Sequence, residues 1–240
     1  MKVVVCEINR LASAVQRSAL NEMGLEGDWL ASRLMIWIPL VLSLTVHEWA
    51  HAWSAYLLGD DTAKHLGRLT LNPLDHIDPI GTVVLPLLGV PFGWAKPVPI
   101  EPLRFRRGVS MRWGIAIVAA AGPISNIVLA LSISIATGVV LRIQPELLRG
   151  MLPVIQLTVT LNVLLAVFNM LPIPPLDGSR IVDSFIPARF SGAWSQLCQM
   201  GPMALIAVIV LPALIGISLF ARPMEFARTI YEAIVKSIAG

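Results

Sequence analysis

Residues 34–58 read LMIWIPLVLSLTVHEWAHAWSAYLL, an apolar stretch long enough to cross a bilayer and carrying the motif HEWAH at 47–51. Because helix positions four apart lie on one face, His47 and His51 can direct two imidazole nitrogens at one metal ion, with Glu48 beside it. A charged side chain inside a membrane costs about 3 kcal/mol, and bound zinc would offset that cost. The stretch therefore predicts a membrane helix that carries a zinc site.

The spacing also predicts a reaction. A hydrolytic zinc site usually has three protein ligands and one water, and a neighbouring carboxylate takes a proton as that water attacks a carbonyl. Glu48 is the candidate general base of such a site. The alternative is that the motif arose by chance and that His47 and His51 are hydrogen-bonded packing residues.

The composition indicates a polytopic membrane protein. Of 240 residues, 56% are hydrophobic and only 14% are charged, and the mean hydropathy is +0.75. The net charge of +3 does not indicate a nucleic-acid partner, because the basic residues cluster in loops beside apolar stretches. Cys6 and Cys198 lie far apart in the sequence, which supports neither a disulfide framework nor a thiolate zinc site.

Four stretches are apolar over the roughly 20 residues that a helix needs to cross the hydrocarbon: 34–58, 113–141, 151–171 and 202–221. We expect an all-α bundle of about four to six transmembrane helices, forming a single membrane-embedded domain over residues 1–240. The range allows for a further span within residues 80–100 or near the N-terminus. Residues 1–30 lack the pattern of a cleavable signal peptide, and their apolar residues at helical spacing predict an interfacial helix.

Residues 59–112, between the first and second long spans, are rich in proline and glycine, which excludes a long helix. Short apolar runs at 82–90 and 98–103 predict a small β element or a re-entrant loop. Because non-helical backbone at membrane depth must be satisfied by protein or enclosed water, we expect this segment to fold over the metal site. An exposed strand edge there would serve as a platform for substrate, and a purely structural cap is the alternative.

Residues 59–112 are also rich in basic residues, which places this segment in the cytoplasm by the positive-inside rule. They are Lys64, Arg68, Lys96, Arg104, Arg106, Arg107 and Arg112. The sequence thus predicts a multi-pass protein of the cell (plasma) membrane, with residues 59–112 on the cytoplasmic side. Three basic residues near the C-terminus, Arg222, Arg228 and Lys236, leave the side of the termini open.

A third zinc ligand must come from outside the HEWAH motif. Residues 169–178 read NMLPIPPLDG, in which three prolines end the preceding helix and Asp177 precedes a glycine. Asp177 is the one acidic residue between Glu146 and Asp183, and its carboxylate suits zinc. Gly178 permits either a close backbone approach or a positive φ. An Asp-Gly turn with no role in metal binding is the alternative.

The two motifs together resemble the site-2 protease family of intramembrane zinc metalloproteases, which pairs HExxH in one transmembrane helix with NxxPxPxLDG at a later one. Supporting matches are GRLTLNP at 67–73, HIDPIG at 76–81, GWAKPV at 93–98 and AGPISN at 121–126. The resemblance covers roughly residues 40–185. It is to a compact form of the family, without the appended PDZ or CBS modules of larger members.

The resemblance implies hydrolysis of peptide bonds in or near transmembrane segments of a membrane-protein substrate, in contact with membrane lipid. His47, His51 and Asp177 would bind Zn²⁺, and Glu48 would act as general base. Asn169 and Asn126 would help to hold the unwound substrate or the developing oxyanion, with interhelical hydrogen bonding as the alternative for both. The oligomeric state stays open.

Two other functions remain open on the sequence. A catalytically silent protein could keep the fold and bind membrane clients, although the intact set of His, Glu and Asp residues argues against this. A metal transporter could use intramembrane His and Asp residues, but the sequence lacks a chain of polar residues across successive spans and an inverted repeat. A metalloprotease is therefore the leading hypothesis.

Overall fold

The computed structural model describes residues 29–85, 94–148, 150–201, 203–205, 207–208 and 220–240. The α-helices are α1 (Trp29–Leu58), α2 (Thr62–His65), α3 (Met111–Ile143), α4 (Leu152–Asn169), α5 (Asp177–Asp183), α6 (Ser191–Gln199) and α7 (Ala221–Ala239). Every regular element in this part of the chain is helical, which confirms the predicted all-α class. Almost all of the predicted interfacial segment at 1–30 and most of the predicted span at 202–221 lie outside the described residues.

Helix α1 contains the first predicted span and the HEWAH motif. Its apolar composition favours a helix of 30 residues even though Pro39 lies inside it. The helix ends where Gly59 adopts a φ of 110°, a conformation that glycine enters at little cost. A Cβ atom at Gly59 would lie 2.9 Å from the backbone nitrogen of Arg106. The turn at Gly59 therefore lets the last part of the segment 59–112 pack against the end of α1.

Helices α3 and α4 are the two helices of the described residues that are long and apolar enough to cross a membrane, judged by length and composition. They correspond to the predicted spans at 113–141 and 151–171. Helix α3 is central, because α1, α4, α5 and α7 all pack against it. The predicted total of four to six spans stays a prediction.

Helix α7 was not expected from the sequence, where its basic residues were assigned to the flank of a span. Ala130 of α3, Val159 of α4 and Tyr231 of α7 form one buried cluster. Further along, a Cβ atom at Gly138 would lie 2.9 Å from Ile238 Cβ, so a glycine in α3 lets the helices approach closely. The hydropathy of the sequence does not reveal α7, because charged residues cover its outer face while its apolar residues recur at helical spacing.

The predicted β element is wrong within the described residues. Segment 59–112 contains α2, 3-10 helices at Pro73–His76 and Pro102–Arg104, a π-helical turn at Pro79–Val84 and an extended stretch at 94–101. The Asp78 side chain accepts hydrogen bonds from the N–H groups of Ile80 and Gly81, so a helical turn begins where the apolar run indicated a strand.

Proline explains why the second apolar run does not form a strand either. Pro97 and Pro99 lack the backbone N–H that a ladder requires at alternate positions. The predicted re-entrant loop depends partly on residues 86–93, which lie outside the described residues, and it stays a prediction.

Hydrogen bonds rather than strand pairing fasten the stretch at 94–101 to residues that follow the end of α1. The Lys96 N–H donates to the His76 carbonyl at 2.9 Å, and Arg68 Nη2 donates to the Lys96 carbonyl at 2.5 Å. The Glu101 N–H donates to Asp60 Oδ2 at 2.6 Å. These contacts hold the stretch against residues 60–76, which directly follow the helix that carries the HEWAH motif.

Candidate metal centre

The candidate site is built where helix α1 meets the start of helix α5. His47 and His51 lie one turn apart on α1, and Asp177 is the first residue of α5. The Nε2 atoms of the two histidines lie 3.1 Å apart, and Asp177 Oδ2 lies 3.1 Å from His47 Nε2 and 3.3 Å from His51 Nε2. All three residues are buried. The structure thus brings the three predicted zinc ligands together, and we call them the ligand group.

Each histidine is oriented by a hydrogen bond on its other ring nitrogen. His47 Nδ1 lies 2.6 Å from Asn126 Oδ1, and His51 Nδ1 lies 2.7 Å from the Val118 carbonyl oxygen. Both oxygens can only accept, so each Nδ1 carries the proton and donates it. A neutral imidazole then has an unprotonated Nε2, and in both histidines that lone pair faces the other members of the ligand group.

The ligand group fits a divalent cation. Two imidazole lone pairs and a carboxylate oxygen within 3.3 Å of one another repel unless a positive charge lies between them. Tetrahedral zinc with bonds of about 2.0–2.2 Å places its ligand atoms roughly 3.3–3.6 Å apart, close to the spacing observed. Two histidines and one carboxylate leave a fourth position open, which is the donor set of a catalytic zinc site.

The backbone around Asp177 approaches helix α4 closely. A Cβ atom at Gly178 would collide with the Met170 carbonyl oxygen and lie 2.5 Å from the Leu171 carbonyl oxygen. Any larger residue would push the start of α5, and with it Asp177, away from the histidines. Of the two roles that the sequence allowed for Gly178, the structure shows the close backbone approach and not a positive φ.

Gly122 supplies the space for the ligand group. Helix α3 crosses α1 at this residue, where a Cβ atom would collide with His51 Nε2 and lie 2.6 Å from His47 Nε2. A methyl group would therefore occupy the position that a bound ion needs. In the sequence, Gly122 stands out only as part of the AGPISN match, because a glycine in an apolar helix does not by itself indicate what it faces.

Glu48 lies beside the ligand group but is not part of it. Its side chain is half-buried, and Oε2 accepts a hydrogen bond of 2.9 Å from the Val98 backbone N–H. This contact joins the extended stretch at 94–101 to the HEWAH motif, as expected of a segment that folds over the site. The carboxylate thus has one oxygen fixed by the backbone of another segment.

The two asparagines that the sequence singled out lie in different surroundings. Asn126 is fully buried behind His47, and its amide makes interhelical hydrogen bonds, the alternative set beside a substrate-holding role. Asn169 ends helix α4, and its Nδ2 donates to the Leu165 carbonyl at 3.0 Å. No hydrogen bond among the described residues links Asn169 to the ligand group, and its substrate role stays a prediction.

The fold and the site define a class of protein, one whose described part is helical and holds a buried group of two histidines and an aspartate that could bind a metal ion, with the Glu48 carboxylate beside it. Comparison with known proteins agrees with that class. The model of peptidase family M50 matches residues 138–212. A Bacillus subtilis (strain 168) protein named "Putative zinc metalloprotease YwhC" is 38% identical over 181 residues, covering 73% of this chain and 80% of that protein. The chain belongs to peptidase family M50.

More distant relatives carry the same description under the name Rip2. The one from Mycolicibacterium smegmatis is 29% identical over 181 residues, covering 72% of this chain and 66% of that protein. The one from Mycobacterium tuberculosis (strain ATCC 25618 / H37Rv) is 28% identical over 186 residues, covering 76% of this chain and 69% of that protein. No solved structure matches the chain. The family recognised from the paired HExxH and NxxPxPxLDG motifs is thereby confirmed.

Replacing Gly122 with alanine will abolish metal binding. The added methyl group lies against both Nε2 atoms, so the purified Gly122→Ala protein should contain less than about a tenth of the zinc of the wild type by elemental analysis. Gly138→Ala is the matched control, because Gly138 lies on the same helix as Gly122 but away from the site. Its added methyl group would contact Ile238 of α7 instead of the histidines. Gly138→Ala should keep its zinc, and full zinc occupancy in Gly122→Ala would contradict the site.

Replacing Asn126 with alanine will weaken zinc binding by about 10- to 100-fold, because His47 loses the acceptor that fixes its ring. The measurement is a competition titration with a chelator of known affinity. Ser134→Ala is the control, since Ser134 is buried on the same helix and bonds only to the Ala130 carbonyl in the described residues. Equal affinities for all three proteins would refute an orienting role for Asn126.

Proposed function

We propose that this chain is an intramembrane zinc metalloprotease that hydrolyses peptide bonds in or near transmembrane segments of other membrane proteins. His47, His51 and Asp177 bind the zinc ion. The observation that carries the proposal is the convergence of their three lone pairs within 3.3 Å, between helices that belong to one bundle. The zinc metalloprotease names of the relatives support the metal and the class of reaction.

The location of the site within the bundle supports the intramembrane part of the proposal. Helix α1 packs against both α3 and α4, the two helices with the length and composition of membrane spans. The ligand group therefore lies between segments that would be surrounded by lipid. We propose a multi-pass protein of the plasma membrane in which the basic segment 59–112 faces the cytoplasm.

Glu48 performs the proton transfers of hydrolysis. A zinc ion held by His47, His51 and Asp177 would supply Lewis-acid polarisation of the scissile carbonyl and would lower the pKa of the attacking water. Glu48 accepts a proton from that water as its oxygen bonds to the carbonyl carbon, and delivers the proton to the amide nitrogen as the C–N bond breaks. The Val98 N–H fixes Oε2, so the carboxylate holds one orientation through both transfers.

The substrate must lose its helical hydrogen bonds before its peptide bond reaches Glu48, because a helix shields its own backbone. Groups that bind the unwound backbone are therefore part of the proposal. We keep Asn169, a half-buried residue at the end of α4, as a proposed substrate contact. The hydrogen bonds of Asn126 favour a role in orienting His47 instead.

The variant Glu48→Gln will keep zinc and lose proteolysis. Glutamine preserves the shape of the side chain but cannot accept the proton, so turnover should fall by at least about 10²-fold. Asp177→Asn should lose both zinc and activity, whereas Asp183→Asn, an exposed position in the same helix α5, should lose neither. The measurements are zinc content and cleavage of a client captured from native membranes by crosslinking to Glu48→Gln.

A catalytically silent protein gives a different result in the same experiment. It would bind zinc and capture a client, but wild-type protein would leave that client intact. Undiminished turnover in Glu48→Gln would reject Glu48 as the general base while leaving the zinc ligands in place.

The Val98 N–H can be removed without altering Glu48. Val98→Pro deletes that donor because proline has no N–H, whereas Val98→Ala shortens the side chain and keeps the donor. We expect Val98→Pro to keep full zinc and to lower kcat for the captured client by about tenfold or more relative to Val98→Ala. Equal kcat values for the two variants would show that the hydrogen bond to Glu48 is not needed.

A further inference from the structure

Behind His47, three polar side chains form a hydrogen-bonded relay between helices. Ser43 belongs to α1, Asn126 to α3 and Asn162 to α4. Each of them is 0% exposed. Polar groups buried so completely between apolar helices must satisfy one another, and their hydrogen-bonding directions can therefore be worked out from donors and acceptors alone.

The orientation of the Asn162 amide is fixed first. Its Nδ2 donates to the Thr158 carbonyl at 2.9 Å and to Ser43 Oγ at 2.8 Å. A carbonyl only accepts, so the nitrogen must face Thr158. Ser43 Oγ donates its own proton to the Pro39 carbonyl at 2.7 Å and is free to accept from Asn162. Asn162 Oδ1 consequently points toward Asn126.

The orientation of Asn126 follows from that of Asn162. Asn126 Nδ2 donates to Asn162 Oδ1 at 2.8 Å and to the Ser43 carbonyl at 3.3 Å, so both of its protons face oxygen atoms. Its own Oδ1 then faces His47 Nδ1 at 2.6 Å. Rotating the amide by half a turn would place its oxygen against two other oxygens and its NH₂ group against the histidine.

The rotated amide would also disable the metal ligand. If Asn126 presented its NH₂ group, His47 Nδ1 would have to accept, and the ring proton would move to Nε2. A protonated Nε2 has no lone pair for a metal. The contact with Asn162 disfavours this arrangement, although Asn162 contacts neither His47 nor the metal position.

We propose that Asn162 is a positioning residue which, through Asn126, keeps the proton of His47 on Nδ1 and so keeps Nε2 available to zinc. The proposal rests on the zinc site of the proposed function, but not on proteolysis. Asn162 could instead serve only to hold α1, α3 and α4 together, as polar side chains do between membrane helices. The positioning role and the packing role predict different effects on zinc affinity when substitutions of Asn162 and Asn126 are combined.

A double-mutant cycle on zinc affinity separates the two roles. Purified protein carrying Asn162→Leu, Asn126→Ala or both substitutions is titrated with zinc against a chelator. If Asn162 acts through Asn126, Asn162→Leu weakens zinc binding by about tenfold, and the double variant binds zinc no more weakly than Asn126→Ala alone. Effects that multiply in the double variant would overturn the proposal.

Two further variants test whether a general loss of helix packing, rather than loss of the relay, weakens zinc binding. Val159→Ala removes buried contacts on the same helix, three residues before Asn162, and should lower the melting temperature without changing zinc affinity. Ser43→Ala is a milder change to the relay, and should weaken zinc binding by less than Asn162→Leu and not at all in the Asn126→Ala background. A loss of zinc affinity in Val159→Ala as large as that in Asn162→Leu would refute the relay.

The absorption spectrum of bound Co²⁺ gives a readout that packing alone does not move. The Asn162→Leu and Asn126→Ala proteins should show the same altered spectrum, because in both the His47 ring loses its fixed orientation, while Val159→Ala should match the wild type. A wild-type spectrum in Asn162→Leu would overturn the proposal.

Wild-type protein that binds zinc but cleaves no client would reject the protease proposal and leave the relay proposal intact. Wild-type protein that binds no zinc would reject both proposals.

Discussion

Two imidazole lone pairs and a carboxylate oxygen repel one another at the distances that separate them in the ligand group. These groups do not lie within 3.3 Å of one another by preference, so the fold must hold them there until a cation balances them. Helix α1 provides two of them through its periodicity. The close approach at Gly178 brings the third from the far end of α4, and Gly122 leaves the space between them. The helix contacts that build the bundle are therefore also the contacts that bring the three residues of the ligand group together.

Sequence reasoning could predict the parts of the site that are set by local helix geometry or by the small number of acidic residues in the chain. The i, i+4 spacing fixes His47 and His51 on one helix face, whatever the tertiary structure. Asp177 could be singled out because few acidic residues are available in the second half of an apolar chain, and the prolines before it end α4 in a defined way. Both inferences used chemistry that operates over a few residues.

The parts that sequence reasoning missed depend on how helices meet. Gly122 looks like any small residue in an apolar helix until α1 is packed against it. The β element failed because the Asp78 cap and the prolines outweighed the strand preference of the apolar runs. Helix α7 escaped detection because its charged face lowers the average hydropathy of a segment whose other face packs on α3 and α4.

The relay of Ser43, Asn126 and Asn162 shows why function and packing are inseparable in this bundle. In an apolar interior each unsatisfied polar group is costly, so the arrangement in which every donor meets an acceptor is strongly preferred. That arrangement requires α1, α3 and α4 each to have one axial position and one rotation about its own axis relative to the other two. The same arrangement turns the amide oxygen of Asn126 toward His47. The hydrogen bonds that select the packing of the three helices therefore also select the protonation pattern that a metal ligand requires.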